Sequence, residues 1–115
     1  MGLINDFMDW VATQMSNHNY VGIGDSNTAY SNTDTGLIGT TTHYEQADTG
    51  YPDIVDNVFT TKITVAPADA QFYWNEVVVC TGTPGDVANR LVIPFGEKGN
   101  VEWELELELT LVVAE

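Results

Sequence analysis

The sequence predicts a mainly β protein: an antiparallel β-sandwich with one N-terminal α-helix and a long polar loop. Three observations lead to this prediction. Apolar residues recur at helical spacing near the start of the chain, turn-forming residues dominate the next stretch, and the remainder alternates as strands do. The 115 residues fit a single domain, because a chain of this length buries about two-thirds of its unfolded surface on folding.

The helix is predicted over residues 3–16. Its apolar side chains recur three and four residues apart and form one stripe: Leu3, Ile4, Phe7, Met8, Val11 and Met15. Asn17, His18 and Asn19 then supply a stop signal. The stripe either covers the core of its own domain, which is the commoner arrangement, or docks on a partner. Trp10 lies off the stripe, which gives the docking interpretation some weight.

Residues 20–53 are predicted to form a short strand and then a long loop. The strand covers 20–23 and ends at Gly24 and Asp25, which favour a turn. Loops as long as 25–53 usually have a role in a compact domain, and we expect this one to contact neighbouring subunits. The expected contact residues come from the helix and the loop: Leu3, Ile4, Phe7, Trp10, Tyr30, Leu37, Tyr44 and Tyr51.

Residues 54–115 are predicted to form antiparallel strands. The expected strands are 58–65, 72–80, 91–95 and 101–113, with a hairpin-like connection at 96–100. The last of them carries the clearest pattern, because Trp103 and a row of leucines alternate with a ladder of carboxylates: Glu102, Glu104, Glu106 and Glu108. A period of two indicates a strand with one buried face and one wet face.

Charge excludes several kinds of partner. The chain has 17 acidic and 3 basic residues, for a formal net charge of −14. Because Lys62, Arg90 and Lys98 are scattered, they form no basic patch, and we expect neither a nucleic acid nor a membrane as partner. No apolar run approaches the roughly 18 residues that cross a bilayer. The first residues carry no basic segment typical of a secretory signal, so we expect synthesis in a cytoplasm.

The acidity itself has two interpretations, a salt-adapted surface and a dedicated cation site. In multimolar salt the Debye length is about 3 Å or less, so the self-repulsion of such a surface nearly vanishes. Acidic side chains are spread from Asp6 to Glu115, which favours the first interpretation. Weak cation candidates are the four glutamates of the ladder together with Asp25 and Asp34. A solvated strand face that also blocks edge-to-edge aggregation is the preferred interpretation of the ladder.

The sequence contains no catalytic constellation. His18 and His43 have no metal-ligand spacing to each other or to Cys80, which follows an apolar strand and is expected to be a buried small hydrophobe. We therefore expect no enzyme and no cofactor, apart from cations taken up non-specifically from concentrated salt.

Several segments carry a family resemblance. They are YVGIGDSNTA at 20–29, TDTGL at 33–37, WNEVVV at 74–79, LVIPF with Lys98 at 91–98, and the alternating strand 103–111. In this order they resemble small structural proteins of tailed phages and archaeal tailed viruses. The chain departs from that pattern at two places. Val78 stands where the family has a glycine, and residues 43–45 stand where the family has an arginine-bearing segment.

The resemblance implies a small β-sandwich that assembles as a symmetric oligomer in a virion, with itself and other virion proteins such as the major capsid protein as partners. Together with the acidity it predicts a capsid decoration or turret subunit of a haloarchaeal tailed virus. A tail or baseplate component is the first alternative. A carbohydrate- or cation-binding module on the surface of a halophilic cell is the second, from a different class of function.

Overall fold

Two antiparallel sheets make up the computed structural model, which describes residues 13–56 and 58–110. Within these ranges the chain forms seven strands: β1 (Tyr20–Gly24), β2 (Thr42–Gln46), β3 (Asp53–Val55), β4 (Val58–Val65), β5 (Tyr73–Cys80), β6 (Val87–Glu97) and β7 (Trp103–Thr110). Residues 13–15 are helical and belong to the end of the predicted helix. The rest of that helix, with its predicted contact residues Leu3, Ile4, Phe7 and Trp10, lies outside the described residues.

The predicted mainly β fold with a sandwich arrangement is confirmed. One sheet has the strand order β2-β1-β5-β6, and the other has the order β3-β4-β7. The core lies between them, and its buried apolar cluster draws on both sheets: Val21, Ile23, Ile63, Val65, Trp74 and Val77. The sheets are held together by burial of this apolar surface, which is the main driving force of folding.

The pair β4–β7 follows the predicted alternation closely. Phe59, Thr61, Ile63 and Val65 of β4 are all buried, and their register partners on β7 are the half-buried Leu109, Leu107, Leu105 and Trp103. Glu104, Glu106 and Glu108 occupy the exposed positions in between. The preferred interpretation of the ladder as a wet strand face therefore fits the structure for these three carboxylates.

The structure corrects the predicted loop at 25–53. The loop ends after residue 41, where β2 begins and pairs with β1 along all five of its residues. The remaining segment carries β3 and a shorter connection. Strand β2 escaped prediction because His43 and Glu45 occupy its inward positions, opposite Ile23 and Val21, where an apolar residue would have marked a strand.

The structure also corrects the predicted hairpin at 96–100. Strand β6 runs from Val87 to Glu97, longer than the predicted 91–95, and pairs with β5, whereas β7 pairs with β4. The segment after β6 therefore crosses from one sheet to the other. It is fixed by the buried side chain of Lys98, which is described below.

An irregularity in β5 turns Glu76 away from the core. Residues two apart on a regular strand share a face, yet Trp74 belongs to the core and Glu76 pairs with Gly24 on the opposite face. The register between β5 and β6 shifts between Trp74 and Glu76, as at a β-bulge. The bulge thus presents a carboxylate on the outer face of the four-stranded sheet.

Candidate functional site

The loop between β1 and β2, residues 25–41, is fastened to the outer face of the four-stranded sheet by the Glu76 carboxylate. Its Oε1 accepts a hydrogen bond from the Ile38 N–H (2.8 Å), and its Oε2 accepts from the N–H groups of Ser26 (3.1 Å) and Gly39 (2.7 Å). Glu76 is fully buried. A buried charge is tolerated when it is paired and hydrogen-bonded, and these three donors supply the hydrogen bonds.

Arg90 supplies the pairing charge. Its Nε donates to Glu76 Oε1 at 2.9 Å, and its Nη1 donates to Asp34 Oδ2 at 3.1 Å. Asp34 also accepts from the Ser31 N–H at 3.0 Å, which holds the tip of the loop. Among the described residues the buried Nη2 of Arg90 has no hydrogen-bond partner. A chain of alternating charges thus ties β5, β6 and the loop into one unit.

Asp25 holds the base of the same loop. Its Oδ1 accepts from the Thr41 N–H at 3.3 Å, and its backbone carbonyl accepts from Asn75 Nδ2 at 3.0 Å. Asp25 and Asp34 are the two loop residues that the sequence offers as weak cation candidates. The structure places each of them as a hydrogen-bond acceptor within the loop, and no contact joins the two carboxylates in the part of the chain that the structure describes.

Glycines allow the loop to approach the sheet this closely. A Cβ at Gly24 would clash with Glu76 Oε2 and lie 2.8 Å from its Cδ. A Cβ at Gly39 would clash with Asp25 Oδ1 and lie 2.7 Å from Glu76 Oε2. Gly24, on strand β1, and Gly39, in the loop, therefore allow the loop to pack closely on Glu76.

All three basic side chains have partners within the chain, and two of them, Arg90 and Lys98, are buried. Besides Arg90, Lys98 is 1% exposed, and its Nζ donates to the backbone carbonyls of Ala66 (2.8 Å), Pro67 (3.1 Å) and Asp69 (2.7 Å). Lys62 forms an ion pair with Glu104, in which Nζ and Oε2 are 3.4 Å apart. Glu106 and Glu108 of the ladder have no such partner among the described residues. The outer surface is consequently almost purely anionic.

The last ladder candidate, Glu102, lies outside β7, the strand that carries the other three. It precedes β7 and lines a hollow of about 380 Å³ together with Glu104, Leu105 and three aromatic side chains, Trp74, Phe95 and Trp103. The two indole rings meet edge to face, with centroids 4.9 Å apart and planes at 73°. The combination of aromatic rings and carboxylates suits a cation or a sugar better than an anion.

The four described residues expected to contact other subunits differ in exposure, and two of them lie outside the loop: Tyr44 is on strand β2 and Tyr51 lies between β2 and β3. Tyr30 is 60% exposed and lines a second hollow with Asn27, Asn89 and Leu91. Leu37 and Tyr51 are half-buried. Tyr44 is also half-buried and lies over Gly22, where its ring would meet an added Cβ at 2.7 Å. Tyr30 is therefore the most accessible of these four.

Cys80 is buried, as predicted, and has no exposed surface. Its Sγ donates to the Gly82 carbonyl oxygen at 3.3 Å. Burial raises the pKa of the thiol above its ordinary value of 9.0. A protonated, inaccessible thiol is a poor nucleophile, so the side chain acts here as a small apolar residue.

A cluster of three possible metal ligands, two of which lie on the inward face of β2, was not predicted from the sequence. His43 Nε2 lies 2.9 Å from Glu45 Oε1. Asp69 lies beside them, and one possible ligand atom from each of the three residues lies within 4.8 Å of the other two. The available signal was the spacing of two residues between His43 and Glu45, which puts both on one face of a strand. The contribution of Asp69 depends on the tertiary fold.

Comparison with protein-family models, curated proteins and solved structures gives no match for this chain. Within the described ranges, no helix has the length and apolar character needed to span a membrane. What the protein does must be inferred from its own residues.

Proposed function

We propose that the protein is a non-enzymatic structural subunit of a haloarchaeal tailed virus, a capsid decoration or turret subunit that assembles as a symmetric oligomer. The observation that carries this proposal is the distribution of charge. Arg90 and Lys98 are buried, Lys62 is paired with Glu104, and carboxylates such as Glu106 and Glu108 face outward. Such a surface suits a particle exposed to brine, where salt screens the repulsion between carboxylates.

The braced loop supports a role in assembly. Glu76, paired with Arg90, holds the backbone N–H groups of Ile38 and Gly39, so this part of the loop loses little conformational entropy when a neighbour covers it. It presents Tyr30, 60% exposed, and Ile38, 43% exposed. Aromatic side chains are enriched at the centres of protein interfaces. The partners proposed are further copies of this chain and other virion proteins such as the major capsid protein.

The proposal is tested by determining whether the chain is present in the virus particle and in how many copies. Virions purified in high salt are analysed by quantitative mass spectrometry, with the major capsid protein as the internal reference. A capsid decoration or turret subunit is expected in many copies per particle, and the free protein in high salt is expected to form a closed oligomer by light scattering. Absence of the chain from purified virions would rule the proposal out.

A tail or baseplate component of the same virion is the first alternative. The same fold and surface charge suit it, and copy number separates the two positions. A few copies per particle, enriched in isolated tails, would indicate the tail.

The hollow beside Trp103 favours the second alternative, a carbohydrate- or cation-binding module of a halophilic cell surface. Two tryptophans, Phe95 and the carboxylates of Glu102 and Glu104 line it, and aromatic rings with nearby acceptors suit sugars and organic cations. Binding of a glycan by the isolated monomer, detected as a change in tryptophan fluorescence that Trp103→Ala abolishes, would favour this class over the virion.

A further inference from the structure

We propose that His43, Glu45 and Asp69 form a binding site for a divalent transition-metal ion such as Zn²⁺. One imidazole nitrogen and two carboxylate oxygens, one from each residue, lie within 4.8 Å of one another. This inference concerns a different part of the molecule from the loop and the exposed surface on which the proposed function rests.

The register of the sheet brings two of the ligands inward. His43 pairs with Ile23, and Glu45 pairs with Val21. Directly opposed residues of an antiparallel pair share a face, and Ile23 and Val21 belong to the core. The two polar side chains therefore occupy the inward face of β2, at the edge of the sandwich, where both remain only about one-quarter exposed (24% and 28%).

The third ligand comes from the turn between β4 and β5, and this turn is held firmly. The Asp69 N–H donates to the Ala66 carbonyl at 3.0 Å, and the Asp69 carbonyl accepts from Lys98 Nζ at 2.7 Å. The carboxylate of Asp69 has no hydrogen bond or ion pair of its own within the described residues. The backbone is thus fixed while the side chain is free to turn toward a metal ion.

The donor set selects the kind of ion. Imidazole nitrogen with carboxylate oxygen suits Zn²⁺, Co²⁺ or Ni²⁺, whereas Mg²⁺ and Ca²⁺ prefer oxygen alone. Ligand atoms around tetrahedral Zn²⁺ are separated by roughly 3.4 Å, as follows from bonds of about 2.1 Å. His43 and Glu45, with ligand atoms 2.9 Å apart, are already close enough. The third atom, on the exposed Asp69 side chain, lies within 4.8 Å of the others, so ligation requires this side chain to move closer.

The nearby positive charge does not compete for these ligands. The ammonium group of Lys98 is surrounded by the backbone carbonyls of Ala66, Pro67 and Asp69 and makes no ion pair with a carboxylate of the cluster. Three protein ligands leave a fourth position for water or for a donor from another molecule.

The alternative role of His43 and Glu45 is protection of an edge strand. Inward-pointing charged residues on an edge strand discourage edge-to-edge association. That role requires no affinity for metal, so a binding measurement separates it from the proposed site.

The test is a titration of the full chain, freed of metal by a chelator and kept in concentrated potassium chloride, with Co²⁺ and then Zn²⁺. We expect one Co²⁺ ion to bind per chain. Its binding is detected by the absorption of Co²⁺ at visible wavelengths, and Zn²⁺ is expected to displace it. His43→Gln and Asp69→Asn are each expected to weaken Zn²⁺ binding by at least about ten-fold, since even the loss of a residue that only hydrogen-bonds a metal ligand has an effect of this size. His18→Gln is the matched control.

His18 suits that role because it lies at the helix end, where its ring contacts the Gln14 carbonyl at 3.1 Å. Removal of His18 should leave the affinity for Zn²⁺ unchanged. Absence of Co²⁺ absorption in the wild-type chain, or equal losses in the His18 and His43 variants, would overturn the proposal. Circular dichroism shows whether each variant is folded. Because Asp69 is exposed, Asp69→Asn is expected to fold and keeps the test decisive if His43→Gln does not fold.

Discussion

Glu76 and Arg90 form an ion pair that is withdrawn from solvent and lies under a loop from another part of the chain. Oε1 and Nε are 2.9 Å apart, and the side chains are 0% and 1% exposed. The same carboxylate accepts hydrogen bonds from three backbone N–H groups of the loop, those of Ser26, Ile38 and Gly39. The pair therefore does more than join β5 to β6, because it also sets the conformation of the loop that covers both.

Replacement of Glu76 by Gln is expected to destabilise the protein by about 3–5 kcal/mol, because it leaves the buried Arg90 guanidinium without its principal counter-charge. The measurement is urea unfolding at a fixed high concentration of KCl. Glu106→Gln, on the exposed face of β7, is the control and should shift the urea midpoint little. Equal shifts for the two variants would contradict the structural role of Glu76.

Lys98→Met is expected to cost about 2–3 kcal/mol, the usual loss when hydrogen bonds to a buried charged group are removed. The variant would leave the carbonyls of Ala66, Pro67 and Asp69 without their shared donor. Lys62→Met removes the same charge from an ion pair whose glutamate is 56% exposed, so its urea midpoint should change little. A larger loss for Lys62→Met than for Lys98→Met would show that surface pairing matters more than the buried contacts.

The sequence was sufficient for β4 and β7, because each of them has one apolar face and one polar face. Alternation of Phe59, Ile63 and Val65 with threonine and lysine marks β4, and alternation of leucine with glutamate marks β7. Strand β2 could not be recognised in this way, since His43 and Glu45 stand at its inward positions. A pattern of hydrophobicity identifies a strand only where the face is apolar.

The buried charges were beyond prediction for a different reason. Glu76 contacts donors 37, 38 and 50 residues away in the chain, and Lys98 contacts carbonyls about thirty residues away. Charged residues are seldom buried unless paired, and the pairing partners are brought close only by the fold. The loop was recognised by composition, but the carboxylate that organises it stands in a distant strand.

Alkaline pH is expected to destabilise the fold. Burial raises the pKa of the Cys80 thiol above 9.0 and the pKa of the Tyr44 hydroxyl above 10.0. The unfolded chain releases these protons first, so stability is fully present below about pH 9 and is lost as pH rises through the pKa values of the folded state.

The urea midpoint should therefore fall as the pH rises above about 9. Cys80→Ala and Tyr44→Phe should each reduce the pH dependence, whereas Tyr30→Phe, at a 60% exposed position, should leave the pH profile unchanged. A flat urea midpoint over this range would contradict the burial of the two groups.

Dilution of salt should act most strongly through the ladder on β7. Alternate carboxylates on one strand face are about 7 Å apart, which is within the Debye length of about 10 Å at 0.1 M salt and beyond that of about 3 Å at 1 M. Glu106 and Glu108 are exposed, and neither has an ion-pair partner in the described part of the chain. We expect the melting temperature of the wild-type protein to fall as KCl is diluted from multimolar to 0.1 M.

The double replacement of Glu106 and Glu108 by Gln should raise the melting temperature at low salt and leave it nearly unchanged at multimolar salt, where repulsion is already screened. Replacement of Asp86 by Asn and Glu97 by Gln makes the same change in net charge at exposed positions outside the ladder. If closely spaced carboxylates are responsible, the ladder variant gains more than this control. Equal gains would assign the salt requirement to net charge, and melting curves independent of salt for the wild-type protein would remove the case for adaptation to brine.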